Sequence, residues 1–388
     1  MTHPVQYYSP WFRFMNGNRA DVELTVIYAT VPTAAQQGVG FGVSFEWDTS
    51  PLDGYHFKTL RPARETDYLH SDRFFGVDVP QMGRAILNSR PDAVVVPGWY
   101  SSTLVRALAA CQVHGIPCIY RGDTPFDATR RGLRQSAAKL RTRAMLLLYR
   151  SYLSVGKRNR EYLHHFGIPD SKIHFSPSCV DNEFFHKSAQ RARTSAGRAR
   201  VRESLGVPPG DFVTLFVGKL DHNKRPWDVI AATARIGASS SAVIVGSGPE
   251  QSRCRAEAEK AGTRAVFPGF VNQSGLGEIY GACDVCVLPS TRETWGLVVN
   301  ESLASGTPCV VSEGVGCGPD LISPEATGET FPAGDVDALA AALQRIRQAK
   351  TSGRNFEEDC RRVVSKYSFT VATEGLVAAA KSLARRVP

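Results

Sequence analysis

No run in these 388 residues approaches the roughly 18 consecutive apolar side chains that a membrane-spanning helix requires. The N-terminus also lacks the charged-then-apolar pattern of a secretory leader. Cysteine is present as an odd, scattered set of nine. Cys283 and Cys286 have CxxC spacing, but they lie inside the apolar run "YGACDVCVLPS" with no second Cys or His pair nearby. That argues for two thiols in or beside a buried strand, against a zinc or redox centre, and for a reducing, cytoplasmic setting. A full GxGxxG with an acidic residue at the dinucleotide spacing is missing as well, which excludes an ordinary NAD site.

What is present is an ordinary globular composition, 43% hydrophobic and 21% charged, in a chain long enough for two domains. The net charge of +9 is concentrated in two stretches. "TRRGLRQSAAKLRTR" (129–143) precedes the apolar "AMLLLY". It reads either as a helix with a solvated basic face or as a patch that meets anionic lipid or an anionic acceptor. "KSAQRARTSAGRARVR" (187–202) is rich in Ser, Ala and Arg and poor in large apolar side chains, as a connection between domains is. No nucleic-acid reading module accompanies the charge, so a nucleic-acid partner is not expected.

Short β-branched runs alternate with longer amphipathic stretches. Strands are expected within 22–30, 93–97, 117–121, 151–156, 173–177, 212–219, 241–248, 265–270, 283–290, 308–312 and 328–333. Helices are expected at 101–114, 226–237, 249–261, 296–305 and 335–348. The alternation occurs on both sides of the second basic stretch. It predicts an α/β protein with two Rossmann-like domains on open parallel sheets, with an active site in the cleft between them. The expected divisions are an N-terminal domain over 1–188, a linker over 189–205, a C-terminal domain over 206–366 and a closing helix over 367–388. "MTHPVQYYSPWFRFM" runs almost at once into a helix, so the first domain is expected to lack its usual first strand, or to begin inside its natural start.

Three stretches carry chemistry. After "VTLFVG", Gly218 is followed by Lys219 and Lys224, two cations able to reach one diphosphate, or simply surface lysines. "VIVGSGPE" sets Gly246 and Gly248 in a turn between strand and helix, either a phosphate-approach loop or a plain tight turn. "STRETWGLVVNESLASGTPCVV" (290–311) holds Glu293 in a loop and Glu301 within an apolar run. Its helix begins near Gly296 and stops at Gly306 and Pro308. The amides of Trp295, Gly296 and Leu297 are then first-turn donors suited to an anion. Leu297, Glu301 and Ala304 share one face, and a carboxylate on an inward face needs hydrogen-bond donors, which a ribose diol would supply.

Together with "FPGFV" (267–271) and "TGETFPAGDVDALAAAL", these stretches resemble the retaining nucleotide-sugar glycosyltransferases of family 4, often called group 1, over roughly residues 212–345. The Glu-(x)7-Glu spacing of Glu293 and Glu301 is that family's diagnostic feature. "HPVQYYSPWFR", "GFGVSFEWDTSPLDGYHF" and "SVGKRNREYLHHFGIPDSKIHFSPSCVDNEFF" resemble a subset of these enzymes in the first half, and "VVSKYSFTVATEGLVAAAKSL" resembles the closing helix that crosses back to the first domain.

The resemblance implies the GT-B fold and transfer of a sugar from a nucleotide-diphosphate sugar, UDP or GDP, to a hydroxyl of a small-molecule, saccharide or lipid-linked acceptor. It implies that Lys219 and Lys224 hold the diphosphate, Glu301 the ribose and Glu293 the donated sugar. Gly218, Gly246, Gly248, Thr294, Trp295, Gly296 and Leu297 would complete the donor site, with the base near Phe270 and Val271. No metal or other cofactor is implied. Acceptor contacts fall to His3, Gln6, Tyr7, Arg121 and Asp123, and to loops near 3–8, 38–53 and 121–131. Two departures stand out. The first cation is Lys219 where the family usually has Arg, and Arg121-Gly-Asp123 stands where many members carry a His. An epimerase or phosphorylase of the same fold, or an inactive binding subunit, are the rival readings. The setting implied is cytoplasmic, with the basic helix near Arg130 available to the inner membrane face.

Overall fold

In a computed structural model, residues 1–63, 76–125 and 133–384 are described; Arg130, Arg131 and the rest of 126–132 lie outside them. The β-branched runs form strands wherever they were expected. They are β1 (Thr25–Tyr28), β2 (His56–Thr59), β3 (Val94–Val96), β4 (Cys118–Arg121), β5 (Ser151–Ser154), β6 (Ile173–Phe175), β7 (Phe212–Val217), β8 (Ser240–Val245), β9 (Arg264–Gly269), β10 (Val285–Leu288), β11 (Cys309–Ser312) and β12 (Gly328–Phe331). β2 was not expected. Its sequence, HFKT, is exposed at every position and carries no alternation to read.

The chain divides into two compact units. One comprises Met1–Gln37, Ser50–Ser178 and Phe369–Pro388, the other Gly38–Thr49 and Cys179–Ser368. In the first unit β3-β4-β5-β6 form a parallel sheet, and β1 pairs β2 in parallel. Helix Ser102–Val113 buries Leu104, Ala107, Leu108 and Cys111 against Val96, Tyr120 and Tyr152. Helix Phe369–Ala384 belongs here too, with Ala379 and Leu383 packed on Ile119 of β4 and Leu153 of β5. Gly375 makes that possible, because a Cβ there would lie 1.8 Å from the Phe175 carbonyl oxygen.

In the second unit the order is β12-β11-β10-β7-β8-β9, all parallel. Every residue of β7, β8, β10 and β11 is buried, as a sheet covered by helices on both faces demands. Cys283 and Cys286 are buried free thiols at β10. The order reverses between β7 and β10, so the connections from those strands leave toward opposite faces. A crevice opens at their carboxyl ends.

Residues 189–205, expected as a connection, instead lie in two helices of this unit, Asn182–Arg193 and Ser195–Ser204, with Thr194 capping the second through the Gly197 amide. Small side chains misled the reading. Ser188 and Ala189 pack against Gly277 and Gly281 of helix Gln273–Ala282, where a Cβ would meet Ser188 Cβ at 2.4 Å and the Ala189 oxygen at 2.6 Å. A helix can come close there only because both faces are bare. Among the described residues no helix is long and apolar enough to cross a membrane.

Candidate donor-binding site

The crevice is built by two loops, one leaving β7 and one leaving β10. Asn223 ties them together: its side-chain amide donates to the Arg292 carbonyl at 2.7 Å and accepts from the Arg292 amide at 3.2 Å, while its own carbonyl accepts from Thr291 N at 2.7 Å. Asp221 accepts from the Lys224 amide at 2.9 Å, which fixes the turn. So held, the Lys224 ammonium forms an ion pair with the Glu293 carboxylate, both side chains about four-fifths buried. The Glu293 backbone is clamped from behind, donating to Gly314 O at 3.0 Å and accepting from Gly316 N at 2.9 Å. A Cβ at Gly316 would lie 1.9 Å from the Thr294 oxygen, so glycine is what lets that strap approach.

Among the described residues no carboxylate pairs with Lys219. Its ammonium lies 5.0 Å from the centre of the Phe41 ring. Burial pulls its pKa below the ordinary lysine value and the neighbouring charge of Lys224 adds to this, while Asp221 opposes. A desolvated, weakly compensated ammonium is poised to gain a polyanion.

Gly246 and Gly248 interlock loops. A Cβ on Gly246 would fall 1.9 Å from the Gly218 oxygen, and one on Gly248 2.5 Å from the Leu220 oxygen. Leu220 N donates to Ser247 O at 2.9 Å and Glu250 N to Leu220 O at 2.9 Å. Both glycines have positive φ, +129° and +155°.

Helix Leu297–Ala304 starts after Gly296 in the left-handed region, φ +99°. Trp295 is buried, with its indole N–H donating to Asn300 Oδ1 at 2.8 Å. The first-turn amides thus begin at the mouth of the crevice beside Glu293. Glu301 is 2% exposed and accepts a hydrogen bond from the Tyr280 hydroxyl at 2.8 Å. Burial raises its pKa from 4.5 to about 7, with Tyr280 opposing. The sign follows. Below about pH 4.5 folded and unfolded chains are both protonated there and the site costs nothing. As pH rises toward 7 the unfolded chain ionises first and stability falls. Glu301→Gln is therefore expected to raise the melting temperature at pH 8 more than at pH 5, while weakening nucleotide affinity about tenfold. Calorimetric melts at the two pH values and a nucleotide titration check both halves.

Phe270 and Val271 follow β9, but the Phe270 ring lies against Phe45, centroids 4.1 Å apart and planes tilted by 30°, with Phe41 and Trp47 at 5.4 and 6.3 Å. These aromatic residues come from Gly38–Thr49, which was expected within the first domain and packs in the second unit instead.

The proposed acceptor residues lie in the first unit. His3 sits 3.1 Å from Thr2 Oγ1 and burial lowers its pKa to about 4, the N-terminal charge adding to the effect. Gln6 and Tyr7 are partly buried at the start of helix Tyr8–Asn18. Arg121 is turned into the fold: it donates to Ser176 O and Oγ at 2.8 and 2.9 Å and lies 4.7 Å from the Trp11 ring. Its neighbour Asp123 is largely exposed. Sequence reading missed Asn223 and Tyr280. An Asn between two cations just before Lys-Arg-Pro is a turn-former's position, which is the one local cue. Nothing local marks Tyr280. Among the described residues no three His, Cys, Asp or Glu side chains are grouped to hold a metal ion.

A model of the family described as Glycosyl transferases group 1 matches residues 197–363. A GDP-mannose-dependent alpha-mannosyltransferase of Mycobacterium tuberculosis is 32% identical over 292 residues, 72% of this chain and 72% of that protein. A 2-deoxystreptamine N-acetyl-D-glucosaminyltransferase of Streptomyces fradiae is 37% identical over 146 residues, covering 36% of this chain and 34% of its own length. The chain spans about a third to a half of the length of the first curated relatives it matches. Among solved structures, Anabaena HepE in complex with UDP superposes with a TM-score of 0.70 over 98% of each chain at 14% identity, a likeness of fold.

Proposed function

The chain belongs to the group 1 glycosyl transferases, and from that membership we propose that it moves a sugar from a nucleotide-diphosphate sugar to an acceptor hydroxyl with retention of anomeric configuration. The observation that carries the reading is the placement of Lys219, Lys224 and Glu293 around the point where strand order reverses, beside a helix start. In this reading Lys219 and Lys224 take the diphosphate together with the amides near Trp295, Gly296 and Leu297. Glu301 and Tyr280 meet the ribose, and Glu293 orients the sugar. UDP and GDP are the favoured carriers, since relatives and structural neighbours are described with GDP-mannose or UDP.

The reaction breaks the bond between the anomeric carbon and the β-phosphate oxygen and forms one to the acceptor oxygen on the same face. The acceptor proton passes to the departing phosphate. Negative charge grows on the diphosphate as the bond breaks, so fixed cations and helix-start amides stabilise the transition state more than the ground state. These groups meet the charge without a metal. The acceptor is a small molecule, saccharide or lipid-linked hydroxyl. Helix Leu133–Leu146, with exposed Lys139, Leu140, Arg141 and Arg143, suits one presented at an anionic lipid surface.

The test is a thermal-shift screen of UDP, GDP, ADP and TDP and their sugars, followed by donor hydrolysis without acceptor, with and without a chelator. One nucleotide is expected to stabilise the chain, and its sugar to be hydrolysed slowly in chelator as well. No stabilisation by any of them would remove the donor reading.

A further inference from the structure

The segment Gly38–Thr49 leaves the first unit after Gln37, packs entirely within the second, and returns at Ser50. Its aromatic side chains reach two residues that the donor reading needs, Lys219 and Phe270. Phe41 lies under the Lys219 ammonium, and Phe45 covers Phe270 with centroids 4.1 Å apart and planes tilted by 30°. Trp47 adds an edge to Phe45 at 4.9 Å. Among the described residues its polar anchors are these: Ser247 Oγ donates to Phe41 O at 2.6 Å, Asn272 Nδ2 to Glu46 O at 2.7 Å, the Ser274 amide to Asp48 Oδ2 at 3.0 Å, and Thr49 Oγ1 to Gln273 Oε1 at 3.5 Å.

From this we infer that Gly38–Thr49 is a plug, in which Phe45 holds the place of a nucleobase on Phe270 and Phe41 that of the diphosphate over Lys219, so that nucleotide binding displaces it. The inference rests on the donor reading above. Three further features fit a seat made to be left. Gly40 and Gly42 have φ of +88° and +71° and give the near end of the segment a backbone that can be redirected. The Trp47 indole N–H is buried and finds no hydrogen-bond partner among the described residues, a cost that release into water would remove. Val39 and Val43 are exposed, so the outer side of the segment contributes little hold.

A plug of this kind lowers apparent affinity by the fraction of molecules in which it is seated. Loosening it must therefore tighten nucleotide binding. The experiment is calorimetric titration of the full chain with UDP, GDP, ADP and TDP, comparing the parent protein, Phe45→Ala and Asn272→Asp. The second variant keeps the acceptor that caps Gln273 N at 3.0 Å and loses the donor to Glu46. Both variants are expected to bind the same nucleotide about three- to tenfold more tightly. Should Phe45→Ala fail to fold, Asn272→Asp carries the comparison alone. Equal or weaker binding overturns the plug and makes Phe45 an idle or supporting wall, with the donor site intact. If none of UDP, GDP, ADP and TDP binds parent or variants, the donor reading itself fails, a result distinct from the first.

Discussion

Replacing Lys224 with alanine is expected to lower kcat/KM for the donor about a thousandfold, close to 4 kcal/mol of transition-state stabilisation. The size comes from two effects that act together. One is loss of a cation whose backbone and loop are fixed by Asp221 and Asn223, so that it needs no rearrangement as the leaving diphosphate gathers charge. The other is that Glu293, its partner in the resting protein, is left without a counter-charge beside two phosphates. Glu293→Gln separates these effects. It frees Lys224 for the diphosphate, so nucleotide affinity should hold or improve slightly, while kcat falls about a hundredfold because the sugar is no longer oriented. Initial rates and nucleotide titrations on both variants measure the split. Turnover by Lys224→Ala within tenfold of the parent would remove Lys224 from the reaction.

That pairing was not legible in the sequence, although both residues were. Lys224 and Glu293 were each read as facing the donor, and each had a local cue: a strand exit for one, a helix start for the other. That they would neutralise each other depends on β7 and β10 becoming neighbours although β8 and β9 intervene in sequence, which no local pattern states. The same limit explains Gly38–Thr49, which was assigned to the first domain because the nearest strands in sequence belong to the first unit. Glu301, by contrast, was readable. A carboxylate on the inward stripe of an apolar helix has few explanations, and the structure buries it against Tyr280. Strands β7, β8, β10 and β11 were readable for the reason that parallel strands covered on both faces read as continuous apolar, β-branched runs. β2 has no such cover and was missed.

The second large effect concerns stability, and it arises where composition was read as a linker. Arg198 and Arg202, part of that polar stretch, converge on Asp284 at 2.6 and 2.7 Å, with Lys350 at 3.3 Å and the Val213 amide at 2.8 Å. Burial pushes the Asp284 pKa up, but Lys350, Arg198, Arg202 and the Val213 N–H together outweigh it and hold the carboxyl below its usual range. Its contribution is therefore complete above about pH 4 and is lost only in stronger acid. Arg202, its side chain 3% exposed, also donates to the carbonyls of Ala282, Pro209 and Asp211, so it cannot turn out to solvent when its partner is removed. Asp284→Ala is expected to cost about 3–5 kcal/mol by stranding Arg202 and Lys350 as buried charges, and to lower the melting temperature by about 10 °C. Arg198→Ala, at a side chain 37% exposed, should cost no more than about 1 kcal/mol. Burial already lowers the Lys350 pKa. Losing Asp284 lowers it further, so the variant should regain part of its stability in alkaline solution, where Lys350 gives up its proton before the unfolded chain does. The cluster sits at the amino ends of β7 and β10, while Lys219, Lys224 and Glu293 follow their carboxyl ends. At 15 °C, where the variant stays folded, kcat should thus remain within about twofold of the parent. A melting temperature within 2 °C of the parent, or a kcat lost at 15 °C, would show that this end of the sheet does not act as a separate structural weld.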